Sequence, residues 1–252
     1  MKTIYLGNIE RNEIIIPLKK RTLWPIITMS AITILMIILP IVFPSILDGH
    51  YEGKGYSNTV LIETSAGTGS GVYIGDNNLI TAAHVVTGMD INERCSVIFE
   101  QPDIEDGKSI YAEAELVAIG NWSKQNSFDE DYALLHITSF DADKYIPRCI
   151  LGKSSKVKTQ DEITVCGYPA GVYKSTNGII SNIKGEDILS NCFVVSASAW
   201  PGSSGGALFD KNKELIGIVT LIGNKDILTN AETYAIKIDH IKQGLKTKGL
   251  QL

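Results

Sequence analysis

The sequence predicts an all-β domain of antiparallel strands, built as a sandwich or a pair of barrels, closed by a C-terminal helix and preceded by one membrane-spanning helix. Three observations lead there: short β-branched runs recur between turn residues from residue 57 onward, the chain ends on an amphipathic stretch, and its first fifty residues hold a long uncharged run. The 252-residue chain is 44% hydrophobic and 20% charged, a balance that permits a sizeable core. Its formal net charge of -5 supplies no broad cationic field for phosphates, which argues against a nucleic-acid partner.

Residues 22–47 contain no charged side chain and are mostly Leu, Ile, Val, Met, Phe and Ala. About 20 such residues span a bilayer. Lys19, Lys20 and Arg21 precede the run, and Asp48 and Glu52 follow it. The positive-inside bias therefore predicts a cytoplasmic tail at 1–21, a signal anchor at 22–47 and an extracytoplasmic remainder, periplasmic or extracellular. A cleaved signal peptide is the competing reading, but its apolar region covers only about 7 to 15 residues, and 43–47 offers no small-x-small site. Pro40 and Pro44 kink or end the helix near the outer interface. A polar linker at 48–56 then leads into the domain at 57–252.

Strands are expected at 59–63, 71–74, 96–99, 114–119, 132–137, 163–166, 178–181, 193–196, 214–222 and 233–238. The cluster Gly67-Thr-Gly-Ser-Gly71 lacks both dinucleotide and P-loop spacing and precedes a strand, so it reads as strand entry. Residues 121–131 form the longest polar stretch and read as a surface loop, in which Asn121-Trp122-Ser123 is a glycosylation acceptor only in a host that glycosylates. The terminal helix is expected at 239–246, with Asp239 as N-cap and Ile241 and Leu245 on one face. Cys95, Cys149, Cys166 and Cys192 include no CxxC pair; they form disulfides in one of three pairings, or serve as small hydrophobes. Strand and helix signals fill most of the residues after Ser204 and leave no room there for an appended domain.

Three patterns carry chemistry: Leu79-Ile-Thr-Ala-Ala-His84-Val-Val, Asp129-Glu-Asp131-Tyr-Ala-Leu-Leu and Trp200-Pro-Gly-Ser-Ser204-Gly-Gly-Ala-Leu. Each alone has a structural explanation. Together they supply a hydroxyl nucleophile, a base and a carboxylate to orient that base. Asp131 is preferred to Asp129 because it adjoins the apolar run.

With Gly69-Ser-Gly-Val-Tyr-Ile and Gly178-Ile-Ile-Ser, these segments resemble the trypsin-like peptidase domain, most closely its HtrA/Deg branch, over residues 57–240. The resemblance implies two packed six-stranded antiparallel β-barrels, with His84 and Asp131 from the first and Ser204 from the second. It implies catalytic roles for those three residues and an oxyanion hole at the N–H groups of Gly202 and Ser204. Polypeptides are the implied substrates, and the chemistry requires neither cofactor nor metal. A neutral His84 base predicts activity that falls as pH drops below about 6.5 to 7.

Thr220 stands where family members place a hydroxyl beside the carboxylate, although a β-branched strand residue explains it equally. Ser203 replaces the carboxylate that digestive trypsins pair with a new N-terminus, so activation by trimming is not expected. Ser198 replaces their acidic pocket floor, while Leu221 and Ile222 narrow the pocket and Trp200 reshapes it. A small or medium aliphatic P1 residue is therefore expected. PDZ domains, usual in the HtrA branch, are not expected here, and oligomeric state is not legible. The rival reading is a catalytically silent trypsin-fold module that binds a partner at the membrane surface.

Overall fold

Period-two alternation sets the pattern of the fold. In Ile110–Ile119, Ala112, Ala114, Leu116 and Ala118 are buried while Tyr111 and Glu113 face outward, as expected of a strand covering a core with one face. The computed structural model describes residues 58–100, 109–122, 128–185, 189–222 and 233–252, excluding the side chains of Asp129, Leu221 and Ile222. The tail at 1–21, the anchor at 22–47 and the linker at 48–56 lie outside the described residues. Among the described residues no helix is long and apolar enough to cross a membrane.

Six strands, β1 (Thr59–Thr64), β2 (Gly67–Gly75), β3 (Asn78–Thr81), β4 (Arg94–Phe99), β5 (Ile110–Ile119) and β6 (Ala133–Ile137), close into an antiparallel barrel in the order β1-β2-β3-β6-β5-β4. Six more, β7 (Glu162–Gly167), β8 (Lys174–Asn182), β9 (Cys192–Val195), β10 (Ala207–Asp210), β11 (Leu215–Ile222) and β12 (Thr233–Lys237), close a second in the order β10-β11-β12-β9-β8-β7. Leu61 opposite Ile98 and Ala207 opposite Cys166 mark the closing pairs, and closure leaves no unpaired strand edge. The two six-stranded barrels implied by the family resemblance are thus present. All ten expected runs overlap strands; β3, just before the His84 turn, and β10, directly after the glycine motif, are four residues each and were not among the expected runs.

Val60, Ile62, Tyr73, Leu79, Leu116 and Leu135 fill the first barrel; Val165, Phe193, Leu208, Ile216 and Val219 fill the second. A further cluster joins Val72, Ile80 and Leu134 of the first barrel to Ala207, Phe209 and Ile218 of the second. Each such aliphatic or aromatic burial is worth about 1.5 to 3 kcal/mol, so the seam between barrels is a core in its own right.

The terminal helix α1 (Ile238–Thr247) buries Ile238, Ile241 and Leu245 in that seam cluster. Its N-cap is Lys237, without a capping side chain, so the expected start at Asp239 is corrected. Asp239 lies inside the first turn; its amide donates to Ser154 Oγ and its carboxylate accepts the Ser155 amide, both at 3.0 Å. A distant segment thus supplies the cap that sequence proximity assigned to Asp239.

No disulfide forms: Cys95, Cys149, Cys166 and Cys192 are buried thiols, which leaves the small-hydrophobe reading. Burial pushes Cys95 and Cys166 up to about 11 and Cys149 to about 12, so neither thiolate nor access favours reaction. Ellman's reagent at pH 8 is therefore expected to leave the native chain unlabelled and to titrate four thiols once unreduced chain is unfolded in guanidinium; two or fewer in the unfolded state would reveal a bridge.

Candidate active site

The β3–β6 register pairs Thr81 with Ala133, so the residues just after β3 and just before β6 emerge at the same end of the first barrel. His84 follows β3 on a single helical turn, Ala83–Val86, whose other residues are buried. Asp131 precedes β6, after the turn Phe128–Glu130. That turn is seated by Gly120, whose amide donates to Tyr132 O at 2.8 Å and where a Cβ would lie 2.1 Å from Glu130 O. From the other side, His240 on α1 bonds Glu130 Oε1 at 3.0 Å, and Gly244 admits the Tyr132 hydroxyl against the helix.

The Asp131 side chain is 1% exposed, contrary to the solvated strand-start carboxylate that is the ordinary alternative. Its Oδ1 accepts the His84 amide at 2.8 Å, and its Oδ2 meets His84 Nδ1 at 2.6 Å and accepts the Thr220 hydroxyl. An ionised carboxylate only accepts, so these contacts assign the proton to Nδ1 and leave Nε2 with its lone pair free. Three donors on one buried carboxylate, each worth about 1.5 to 3 kcal/mol to a charged acceptor, offset the cost of removing it from water. Thr220 is at once a buried β-branched residue of β11 and a donor to Asp131, so both readings of it hold.

Ser204 reaches this end of the first barrel through its backbone. Its carbonyl accepts the Ser70 amide at 2.8 Å. Ser70 Oγ donates to Gly202 O at 2.7 Å and accepts the Tyr168 amide at 2.8 Å, while Thr81 Oγ1 donates to Ser70 O at 2.6 Å. Gly205, at φ +81°, seats against the same wall: a Cβ there would lie 2.1 Å from Ser70 O, 2.3 Å from Thr81 Oγ1 and 2.9 Å from Ala82 N. Its amide donates to Val219 O at 2.7 Å, beside Thr220. Among the described residues no hydrogen bond joins the His84 ring to the Ser204 hydroxyl, a bond that commonly tightens only with substrate bound.

Two backbone donors lie beside that hydroxyl. Pro201 O accepts the Ala170 amide at 3.3 Å, and Ser203 O accepts the Gly206 amide at 2.9 Å. Among the described residues no peptide bond is cis, and in a trans peptide the N–H points opposite to the carbonyl, so the Gly202 and Ser204 amides face away from these bonds. Among the described residues neither amide has an acceptor, whereas that of Ser203 donates to Trp200 O at 2.8 Å. Gly202 holds φ +97°, and a Cβ there would lie 2.8 Å from Tyr168 O, which excludes other residues.

The segment before Gly202 carries the expected pocket residues. Ser198 is exposed and its carbonyl accepts the Thr176 hydroxyl at 2.8 Å. Trp200 is 41% exposed with the Lys174 ammonium 4.7 Å above its ring. Ser203 is buried, and its hydroxyl accepts the Trp200 amide at 3.2 Å, closing a local turn. Leu221 and Ile222 lie in β11 opposite Tyr234 and Thr233, but their side chains are outside the described residues.

Ser70, which read as part of a strand entry, is the unforeseen member of this site. Trp122 is a second, its ring centroid 5.8 Å from that of His84 at an interplanar angle of 40°. Of the buried donors, Thr220 gives the cleanest test. Thr220→Val is expected to destabilise the fold by about 1 to 3 kcal/mol in urea denaturation, because it leaves a buried carboxylate one donor short, while Thr220→Ser stays close to the parent. Equal stability of all three chains would refute that bond's contribution.

A family model described as "Trypsin-like peptidase domain" matches residues 69–218. A protein named "Serine protease HtrA-like" from Staphylococcus epidermidis is 25% identical, over 87% of this chain and 43% of its own, so the chain spans less than half of that relative. The solved structure "HtrA-type protease AlgW with tripeptide" aligns with a TM-score of 0.58 at 27% identity, over 78% of this chain and 60% of that one. A serine endoprotease from Yersinia pestis shares the fold, with a TM-score of 0.60 at 24% identity over 77% of this chain and 63% of its own. With more than half of its length matched by the family model, the chain belongs to the trypsin-like peptidase family, with HtrA-type proteases among its relatives.

Proposed function

We propose that this chain is a serine endopeptidase that cleaves polypeptides through an acyl-enzyme and is anchored in a membrane by residues 22–47. The observation that carries the reading is that, among the described residues, the amides of Gly202 and Ser204 have no acceptor, on a loop that Ser204 O ties to Ser70 at the end of the barrel where buried Asp131 orients the His84 imidazole.

In the proposed reaction Ser204 Oγ bonds to the substrate carbonyl carbon as its proton passes to His84 Nε2. The carbonyl π pair moves onto oxygen, where the amides of Gly202 and Ser204 receive it, each donor worth about 3 to 4 kcal/mol in the transition state. His84 returns the proton to the leaving nitrogen as the C–N bond breaks. Water then bonds to the acyl carbon as it loses a proton to His84, and His84 passes that proton to Ser204 Oγ as the C–Oγ bond breaks and the acid leaves. Asp131 remains a carboxylate and stabilises the imidazolium. Thr220, by holding Oδ2, keeps that carboxylate aimed at Nδ1.

The P1 preference is assigned to small or medium aliphatic residues such as Ala or Val. It is supported by Ser198, which gives the pocket no acidic floor, and by the bulk of Leu221 and Ile222. Anchoring is supported by the uncharged run after Lys19, Lys20 and Arg21, and the same charge asymmetry supports an extracytoplasmic protease domain.

A fluorophosphonate probe is expected to label the native chain and to leave Ser204→Ala unlabelled, and the native chain before labelling should cleave library peptides after Ala or Val in preference to Lys or Arg. A freshly folded chain that takes no label would instead support the silent binding module. In intact cells, added protease should digest the domain after residue 47 and spare 1–21; the reverse pattern overturns the orientation.

A further inference from the structure

We propose that Trp122 is a positioning residue for His84, whose indole face stabilises the imidazolium as it takes the Ser204 proton. The inference rests on the reading of His84 as the general base. Gly120 bonds back to Tyr132 O at 2.8 Å, which fixes the end of β5 to the Asp131 turn and brings Trp122, two residues on, against the imidazole at an interplanar angle of 40°. The ring centroids are 5.8 Å apart, within the roughly 6 Å over which an aromatic face attracts a cation. The indole Nε1 is buried and, among the described residues, has no acceptor. A hydrogen bond therefore does not hold the indole there, and its placement falls to the ring.

Two neighbours of the imidazole are fixed by the fold: Asp131 meets Nδ1 from the turn before β6, and the Trp122 ring packs against it, tilted by 40°, from the end of β5. Among the described residues Asp131 is the one charged group within ion-pair distance of the ring. The imidazole is neutral before reaction and cationic only while it holds the proton, so the attraction to the indole strengthens in the transition state. Such an interaction acts on kcat and leaves ground-state binding alone.

The sign with pH follows. Losing Trp122 disfavours the protonated ring, so the neutral base persists to lower pH and the acid limb of kcat/KM moves down. In the full chain, Trp122→Leu is expected to lower kcat about 3- to 10-fold with KM within about twofold and the limb about half a pH unit lower, and Trp122→Phe should recover most of both. A changed KM with kcat and limb unmoved would make Trp122 a substrate-subsite wall and overturn the proposal.

NMR titration of the His84 ring in Ser204→Ala needs no protease activity. A lower midpoint when Trp122→Leu is added supports the contact, and an unchanged midpoint refutes it whether or not the fluorophosphonate experiment succeeds. Should Trp122→Leu not fold, the same titration of Trp122→Met decides: a lower midpoint supports the contact and an unchanged one refutes it.

Discussion

Ser70 is the point at which the two barrels are held in register, and the rest of the site depends on it. Its amide, hydroxyl and carbonyl are all engaged: with Ser204 O, with Gly202 O and the Tyr168 amide, and with the Thr81 hydroxyl. Apolar packing across the seam is strong but tolerates small slides, because it is non-directional. Hydrogen bonds do not tolerate them, and these are buried with Ser70 itself. Gly205 adds a steric limit, since its α-carbon presses on Ser70 O and Thr81 Oγ1 where any Cβ would collide. The loop bearing Ser204 therefore has one seat against the wall that continues into His84.

Charge imposes the second constraint. Asp131 is buried, and a buried carboxylate is tolerated only when its oxygens are filled. One donor comes from the backbone of His84, one from its ring and one from Thr220 in the second barrel. The carboxylate thus bridges the barrels, and its burial adds to the force that keeps them together. The turn carrying it is braced from behind by the His240–Glu130 pair and by the close packing of Tyr132 on Gly244. The terminal helix in this way supports the site without entering it.

Much of this was legible from residues. The strands announce themselves by alternation, and the segments around His84, Asp131 and Ser204 stand out because glycines and apolar runs flank them closely. What escaped detection depends on partners far away in the chain. A serine between two glycines reads as permissive backbone, and only the meeting of β2 with the 201–206 loop makes Ser70 a junction. Asp239 looks like a helix cap by local rules, but Ser154, from a distant segment, takes the bond. Trp122 sits in a polar stretch as the middle residue of a glycosylation-type triplet, and no spacing rule places it on His84. β10 is too short for period-two patterning to be visible. For Thr220 the two readings were never exclusive, because a strand interior can hold the methyl while the hydroxyl finds a carboxylate.

The two amides assigned to the oxyanion hole are oriented by unequal means. That of Ser204 is set within its own turn, by the 2.9 Å bond between Ser203 O and the Gly206 amide. That of Gly202 is set from outside, by the longer 3.3 Å bond between Pro201 O and the Ala170 amide. Ala170 makes that bond from a left-handed conformation, φ +52°, which costs a non-glycine residue on the order of 1 kcal/mol. The two-residue turn at Ala170 and Gly171 nevertheless leaves Tyr168 O close against Gly202, so strain at 170 and the absent side chain at 202 are two halves of one fit. Because both carbonyls are already held in the absence of substrate, the proposed donors need little reorganisation when negative charge develops, which is the condition under which backbone dipoles are most effective.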